Sequence, residues 1–448
     1  MLETLKKYST YTKELVYLSL SMIMGNIGII LIGAGDVYVA GRYSTDTLAA
    51  ISIANSIVSV IFIFGVGLLL GVSPLLSNVR GARKPVKHYF YPTVKFSLLA
   101  AFLITIITLA VVPLFGYMGF EERLIPMIKS YTIILAFSTF GGYLHVGLKE
   151  FLQSYEIVFF PNFISIISIF LNIFFSFLFV FGWRFVPAMG ANGIALASIL
   201  VRTFMGLSVL FYCFWFFSFK NKSTPKYYKN IIKIGLPISF AAAIEFFAFN
   251  AMTILAGRVN GLYAAAQNII IVLTSISFMI PMSISNSMAI KVGFANGAKN
   301  LADLRRYALS GVFVSTVFMS FCCILFWSFP SFIAKLFTND LQLIEIIIPV
   351  LFTMGCFQIF DGLQVSLGGI AKGIKKTKLI FLANTIGYWF IGVPLGLYLA
   401  NKTSSYLGGF WVGFLCAPIG ISVVLTFVLL RYYKKMKKDQ TIIAENTL

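Results

Sequence analysis

Charge is scarce in this chain. Of its 448 residues 11% are charged, and only 15 are Asp or Glu. A soluble domain carries about 25% charged and about 45–50% apolar residues. Here the hydrophobic share is 59%. A water-soluble fold of this size has too much surface for its volume to hide so many apolar side chains. A cytosolic enzyme, a secreted disulfide scaffold and a disordered chain are excluded on that ground. Histidine is almost absent, with only His88 and His145. The first stands in a basic loop and the second is alone in an apolar run, so both read as solvated or packed side chains. The five cysteines (Cys213, Cys322, Cys323, Cys356 and Cys416) lie inside apolar runs, with no CxxC and no zinc spacing. They read as small buried hydrophobes and not as a disulfide or metal framework. There is no P-loop, HExxH or GxSxG, so ATP hydrolysis and these hydrolytic chemistries have no residues to carry them. The chain is expected not to be an enzyme and to need no cofactor or bound metal.

Long apolar runs take the place of these features. A spanning helix needs about 20 mainly apolar residues. Twelve runs meet this, near 15–39, 47–72, 89–113, 127–148, 157–181, 191–218, 231–256, 262–288, 307–329, 344–368, 379–400 and 408–431. They are continuous, which sets aside the alternating ten-residue strands of a membrane β-barrel. The expected fold class is an all-α integral membrane protein with twelve transmembrane helices. No small-residue cleavage site follows a short apolar stretch near the start, so the first run is expected to be a retained helix.

The net charge is +20. In a soluble protein that would suggest nucleic acid. In a membrane protein basic residues mark cytoplasmic loops. Twelve spans place 26 Lys and Arg on the side of the N-terminus and seven on the other, with Lys95 and Arg202 inside the runs. That asymmetry implies a plasma (inner) membrane protein with both termini in the cytoplasm and no nucleic-acid partner. A miscount by one helix would scramble it.

Shifted by 216 residues, the sequence matches itself. Ala40-Gly41-Arg42 falls on Ala256-Gly257-Arg258, Ala49-Ala50 on Ala265-Ala266, Gly81-Ala82-Arg83 on Gly297-Ala298-Lys299, and Gly193 on Gly409. The shift spans six helices, an even number, so the two copies share one orientation. Parallel repeats of this kind are related by an axis along the membrane normal. The expected organisation is an N-terminal six-helix lobe over 1–218, a cytoplasmic linker over 219–230 and a C-terminal six-helix lobe over 231–448. Two such pseudo-symmetric lobes fit a secondary transporter working by alternating access.

Three acidic residues fall within apolar runs: Asp36 in the first, Glu245 in the seventh and Asp361 in the tenth. Each costs about 2.5–3.5 kcal/mol at a helix centre. No Lys or Arg in the same run offers an obvious partner. Asp36 could be a helix-end residue reaching water, and Glu245 and Asp361 could be polar contacts between helices. The repeat argues for more. Asp36 falls on Met252, Glu245 on Ile29, and Asp361 near Gly142–His145. The scaffold is duplicated and the acids are not. A carboxylate removed from water can carry a proton, and its oxygens suit a hard cation such as Na+. The residues alone do not choose between these uses.

The run Gly35-Asp36-Val37-Tyr38-Val39-Ala40-Gly41-Arg42, with Leu48-Ala49-Ala50, Gly65-Val66-Gly67-Leu68 and Arg80-Gly81-Ala82-Arg83, resembles the multidrug and toxic compound extrusion family. Gly235-Leu236-Pro237 and Asp361-Gly362-Leu363-Gln364 resemble it too, and the likeness covers essentially the whole chain. The combination of Asp36, Glu245 and Asp361 is similar to the NorM-type branch. The resemblance implies an antiporter that exports organic, often cationic and amphipathic compounds in exchange for Na+ or H+. It implies a coupling site at Glu245 and Asp361, and a first-lobe cation or proton site at Asp36, Asn172, Ser176 and Ser198. Three departures stand out. Ser176 replaces a usual Asn or Asp. Ser21 replaces a proline common in the first helix, and falls on Pro237 in the repeat. Phe357 replaces a frequent Tyr near Asp361, losing a hydroxyl. The alternative in the same superfamily is a flippase for lipid-linked saccharides. Anionic head groups would call for several intramembrane Arg or Lys, and only Lys95 and Arg202 are there. Twelve helices suffice for a monomer.

Overall fold

The computed structural model describes residues 2–217, 225–403 and 405–445. Among them twelve helices are long and apolar enough to cross a membrane. These are α1 Tyr8–Tyr43, α2 Thr45–Gly81, α3 Val86–Tyr117, α4 Ile125–Gln153, α5 Phe159–Phe181, α6 Ala191–Phe216, α7 Lys226–Val259, α8 Gly261–Gly297, α9 Leu301–Ser328, α10 Leu341–Gly373, α11 Lys378–Ala400 and α12 Tyr406–Gln440. Each expected run corresponds to one of them. Large apolar side chains lie exposed on their outer faces, among them Phe170, Phe211, Trp215, Phe313 and Phe390. In water such faces would aggregate; in a bilayer they meet hydrocarbon. No strand is present among the described residues, apart from one isolated bridge between Trp183 and Val186.

Several helices outrun their apolar segments. The run ending near 288 continues as helix to Gly297, because a helix needs only its own backbone hydrogen bonds to leave the hydrocarbon. Its end is capped in a way the repeat duplicates. Arg83 and Lys299, 216 residues apart, both have φ of +57°. Beyond them the Lys84 N–H donates to Val79 O at 3.1 Å and the Asn300 N–H to Ala295 O at 2.9 Å. Both are six-to-one C-caps with a left-handed residue where glycine is usual. The duplication is thus visible in local backbone geometry.

Of the expected linker 219–230, residues 219–224 lie outside the described residues, and from Pro225 the chain is already helical. The described chain packs as two compact units. One compact unit comprises Leu20–Arg80 and Lys84–Ser239; the other comprises Met1–Ser19, Gly81–Arg83 and Phe240–Leu448. The division cuts α1 between Ser19 and Leu20, and α7 between Ser239 and Phe240. Polar contacts explain the first cut. Glu14 on α1 pairs with Lys291 of α8 at 2.8 Å and accepts from the Tyr307 hydroxyl of α9 at 2.6 Å. Tyr11 donates to Asp303 at 2.6 Å. Missing side chains explain the second. A Cβ on Gly235 would stand 2.3 Å from Leu68 O, and one on Gly67 would stand 2.6 Å from the Ser239 Cα. Here α2 and α7 touch backbone to backbone. Gly235→Ala is expected to cost about 1–3 kcal/mol by overpacking, read as a lower Tm of the detergent-solubilised protein. An unchanged Tm would show that the helices part without strain.

Two departures from regular helix bear on the site. The first helix runs unbroken through Ser21, whereas α7 carries Pro237 in its interior. And α11 is α-helical over Lys378–Asn384, π-helical over Thr385–Gly392 and α-helical again over Val393–Ala400. Its repeat counterpart α5 is α-helical throughout. A π-turn re-aims side chains by shifting register, and such turns recur at functional sites.

Candidate functional site

Glu245 stands on α7, Asp361 and Gln364 on α10, and Asn384 and Tyr388 on α11. The structure joins them in one network. Tyr388 donates its hydroxyl to Glu245 Oε1 at 3.4 Å, and Asn384 Nδ2 donates to Glu245 Oε2 at 3.2 Å. Gln364 Nε2 donates to Asp361 Oδ1 at 2.8 Å and to Tyr388 Oη at 2.6 Å. Asp361, Gln364 and Tyr388 are buried, and Glu245 is half-buried. The two carboxylates lie close enough to sense each other's charge. The basic residue whose charge reaches Glu245 is Lys372, further along α10, which bonds Asn286 Oδ1 at 3.5 Å. Gln364 Oε1 and both polar atoms of the Gln358 amide are buried without a protein partner. Carboxylates, a phenol and amide oxygens form an oxygen donor set, which suits a proton or a hard cation.

One wall of this network is aromatic. Phe357, Tyr388, Trp411 and Phe414 are fully buried around Phe249, with Phe249 and Phe414 centroids 5.0 Å apart and Phe357 and Trp411 5.2 Å apart. Such a wall lowers the local dielectric and strengthens every charge interaction beside it. It also accounts for Phe357, which packs here as a hydrocarbon.

In the other unit the structure brings together Asp36, Asn172, Ser176 and Ser198. Ser176 Oγ donates to Asp36 Oδ1 at 3.3 Å. Ser198 and Asn172 also turn toward the carboxylate. Asn172 stops short of hydrogen-bond geometry, since both of its amide atoms are buried without a partner. Its Oδ1 lies 3.5 Å from where a Gly35 Cβ would stand. Asp36 is 7% exposed, so the expectation of a helix-end residue reaching water does not hold. A basic group is also present, contributed by another helix: the charge of Arg202 on α6 reaches Asp36.

Sequence reasoning passed over Asn384, Tyr388 and the role of Arg202. The repeat held a signal for two of them. Tyr388 falls on Asn172 and Asn384 on Ser168, so each lobe draws polar side chains from the same stretch of its fifth helix. Asp361 falls on His145, which is buried with its ring nitrogens 3.4 Å from Met205 O and Ser165 Oγ.

The MatE family profile matches residues 21–178 and 237–398. The two matches begin 216 positions apart, the offset of the internal repeat. The "probable multidrug resistance protein NorM" of Mesorhizobium japonicum is 28% identical over 437 residues, 92% of each chain. Its namesake in Bacillus subtilis is 27% identical over 443 residues, 96% of this chain and 98% of the relative. Solved structures share the fold. A eukaryotic MATE transporter superposes with a TM-score of 0.84 at 18% identity, covering 96% of this chain and 99% of its own. An outward-facing multidrug resistance MATE transporter of the MOP superfamily gives 0.84 at 20%, covering 95% and 97%. With both halves matched by one profile at the spacing of its own repeat, this chain belongs to the MatE family and is a multi-pass membrane transporter, not an enzyme.

Proposed function

We propose that the chain is a secondary active multidrug efflux antiporter, exporting small organic cations of amphipathic character in exchange for Na+ or H+ by alternating access. The observation that carries this reading is the pair of a half-buried Glu245 and a buried Asp361, bridged by Tyr388 and Gln364. Two like charges in a low-dielectric site repel, and a bound cation or shared proton removes that repulsion. Such a site has a reason to take up a cation from one side and release it to the other. For coupling, the cation must bind the outward-open and inward-open states with different affinity. Uptake at Glu245 and Asp361 favours the outward-open state and weakens substrate binding; release into the cytoplasm resets the cycle. Asp36, Asn172, Ser176 and Ser198 form a second cation or proton site in the first lobe. On this reading the lobes 1–218 and 231–448 are the moving halves, the termini face the cytoplasm, and a monomer in the inner membrane suffices. The NorM names of its relatives support the drug-export class.

The test uses purified protein in liposomes. Efflux of a cationic dye is followed under an imposed Na+ gradient and separately under a pH gradient. Transport driven by one gradient identifies the coupling ion. No dye movement under either gradient would overturn the reading and turn attention to lipid-linked substrates.

A further inference from the structure

Arg202 is a charged side chain that the coupling reading leaves unused. It sits mid-way along α6, one turn after Ser198, so the two share a helix face, and its charge reaches Asp36. A full positive charge at this depth is expensive and is retained only where it does something. Its guanidinium has five N–H donors. Ser138 Oγ on α4 takes one, at 2.9 Å from Nη1. The Phe62 ring of α2 lies under it, 5.2 Å from Cζ to the centroid. Gly142, one turn after Ser138, makes room for the stem: a Cβ there would be 3.4 Å from Arg202 Cδ. Among the described residues Arg202 makes no ion pair, although the charge of Asp36 reaches it. The side chain is half-buried, not sealed.

A structural clamp between α4 and α6 would account for an arginine here. The repeat argues against that need. Arg202 falls on Pro418, Ser138 on Met354, Phe62 on Phe278 and Asp36 on Met252. The same junction in the second lobe is built without a polar atom from these positions. What the first lobe adds is a pair of opposite charges, each anchored by its own hydroxyl, held apart beside an aromatic face. Ser176 anchors Asp36 and Ser138 anchors Arg202.

We propose that Arg202 is a specificity-determining residue that binds an anionic group on the transported compound, so that the first lobe recognises zwitterionic aromatic amphiphiles as well as cations. A carboxylate takes the open fork of the guanidinium in a bidentate contact. A substrate amine sits toward Asp36, and the aromatic body lies along Phe62. This rests on reading the chain as an exporter of organic cations, and it adds a second charge to the compounds exported.

The experiment measures equilibrium binding of two dyes to the detergent-solubilised protein by fluorescence polarisation. Rhodamine 6G is a cationic ester, and rhodamine 19 is its free acid and a zwitterion; they differ in the carboxyl group alone. The wild type is expected to bind the acid at least as well as the ester. In Arg202→Gln the affinity ratio is expected to move toward the ester by about tenfold or more, the size of a lost charge-assisted hydrogen-bond pair. Ser138→Ala, which frees the guanidinium without removing it, is expected to move the ratio the same way by about threefold. A wild type that rejects the acid, or a ratio unchanged in either variant, would overturn the proposal. Because binding is read without a gradient, a failure of the antiport reading shows separately, as absent dye efflux in liposomes.

Discussion

Asp361→Asn is expected to abolish gradient-driven export while the protein still folds. Asn is isosteric with Asp and keeps an oxygen to accept from Gln364 Nε2, the 2.8 Å bond seen in the wild type. The bridge through Tyr388 to Glu245 therefore survives. What disappears is one of two negative charges in a buried, aromatic-walled site, and with it most of the attraction for a cation. The loss of coupled transport should be about 100-fold, toward the upper end of the roughly 5–150-fold range of site–site coupling. Glu245→Gln should behave alike, because the two acids act as one site and their effects are not additive. The measurement is dye efflux from liposomes under the gradient that drives the wild type, alongside Tm. Retained export in Asp361→Asn would remove the carboxylate pair from the mechanism. A collapsed Tm would instead mark Asp361 as structural.

The fold was legible because one physical rule dominates it. A backbone inside a bilayer must satisfy its own hydrogen bonds, so each long apolar run has to be a helix. The offset of 216 residues was equally readable, and it reappears in the paired left-handed caps at Arg83 and Lys299 and in the spacing of the two profile matches. The carboxylates were visible as costly exceptions within apolar runs. Their partners were harder. A search for basic partners within one helix could not find Arg202, whose charge reaches Asp36 from α6. Tyr388, which reaches Glu245 and Gln364 from α11, was missed as well, because hydrogen-bond partners are chosen by proximity in space. The packing boundary inside α1 and α7 was not legible for a related reason. It depends on which glycines and polar side chains meet, such as Gly235 with Leu68 and Glu14 with Lys291, and apolar patterning says nothing about that.

Tyr388→Phe is expected to raise the cation concentration needed for half-maximal export by about 5–10-fold, with the maximal rate little changed. The hydroxyl donates to Glu245 and accepts from Gln364, and it is the link through which the two carboxylates share one network. Removing it leaves Gln364 bound to Asp361 alone and returns Glu245 to Asn384 alone. One net hydrogen bond is worth about 0.5–1.5 kcal/mol, and 1.4 kcal/mol is tenfold in affinity. The ring itself should stay put, since its packing against Phe414, 5.3 Å between centroids, needs no hydroxyl. Both charges remain, so the cation still binds and the cycle still turns, only at higher concentration. This separates Tyr388 from Asp361, whose loss should cost the rate itself. The π-helical turn from Thr385 to Gly392 gives the prediction its second edge. Tyr388 lies within that turn, at the repeat position of Asn172, which stands on an ordinary α-helix. If the turn exists to aim the phenol, deleting one residue after Tyr388 to restore α-helical register should reproduce the Tyr388→Phe shift in cation dependence. A cation dependence equal to wild type in Tyr388→Phe would mean that the carboxylates bind the ion without the phenol, and that the π-turn serves packing alone.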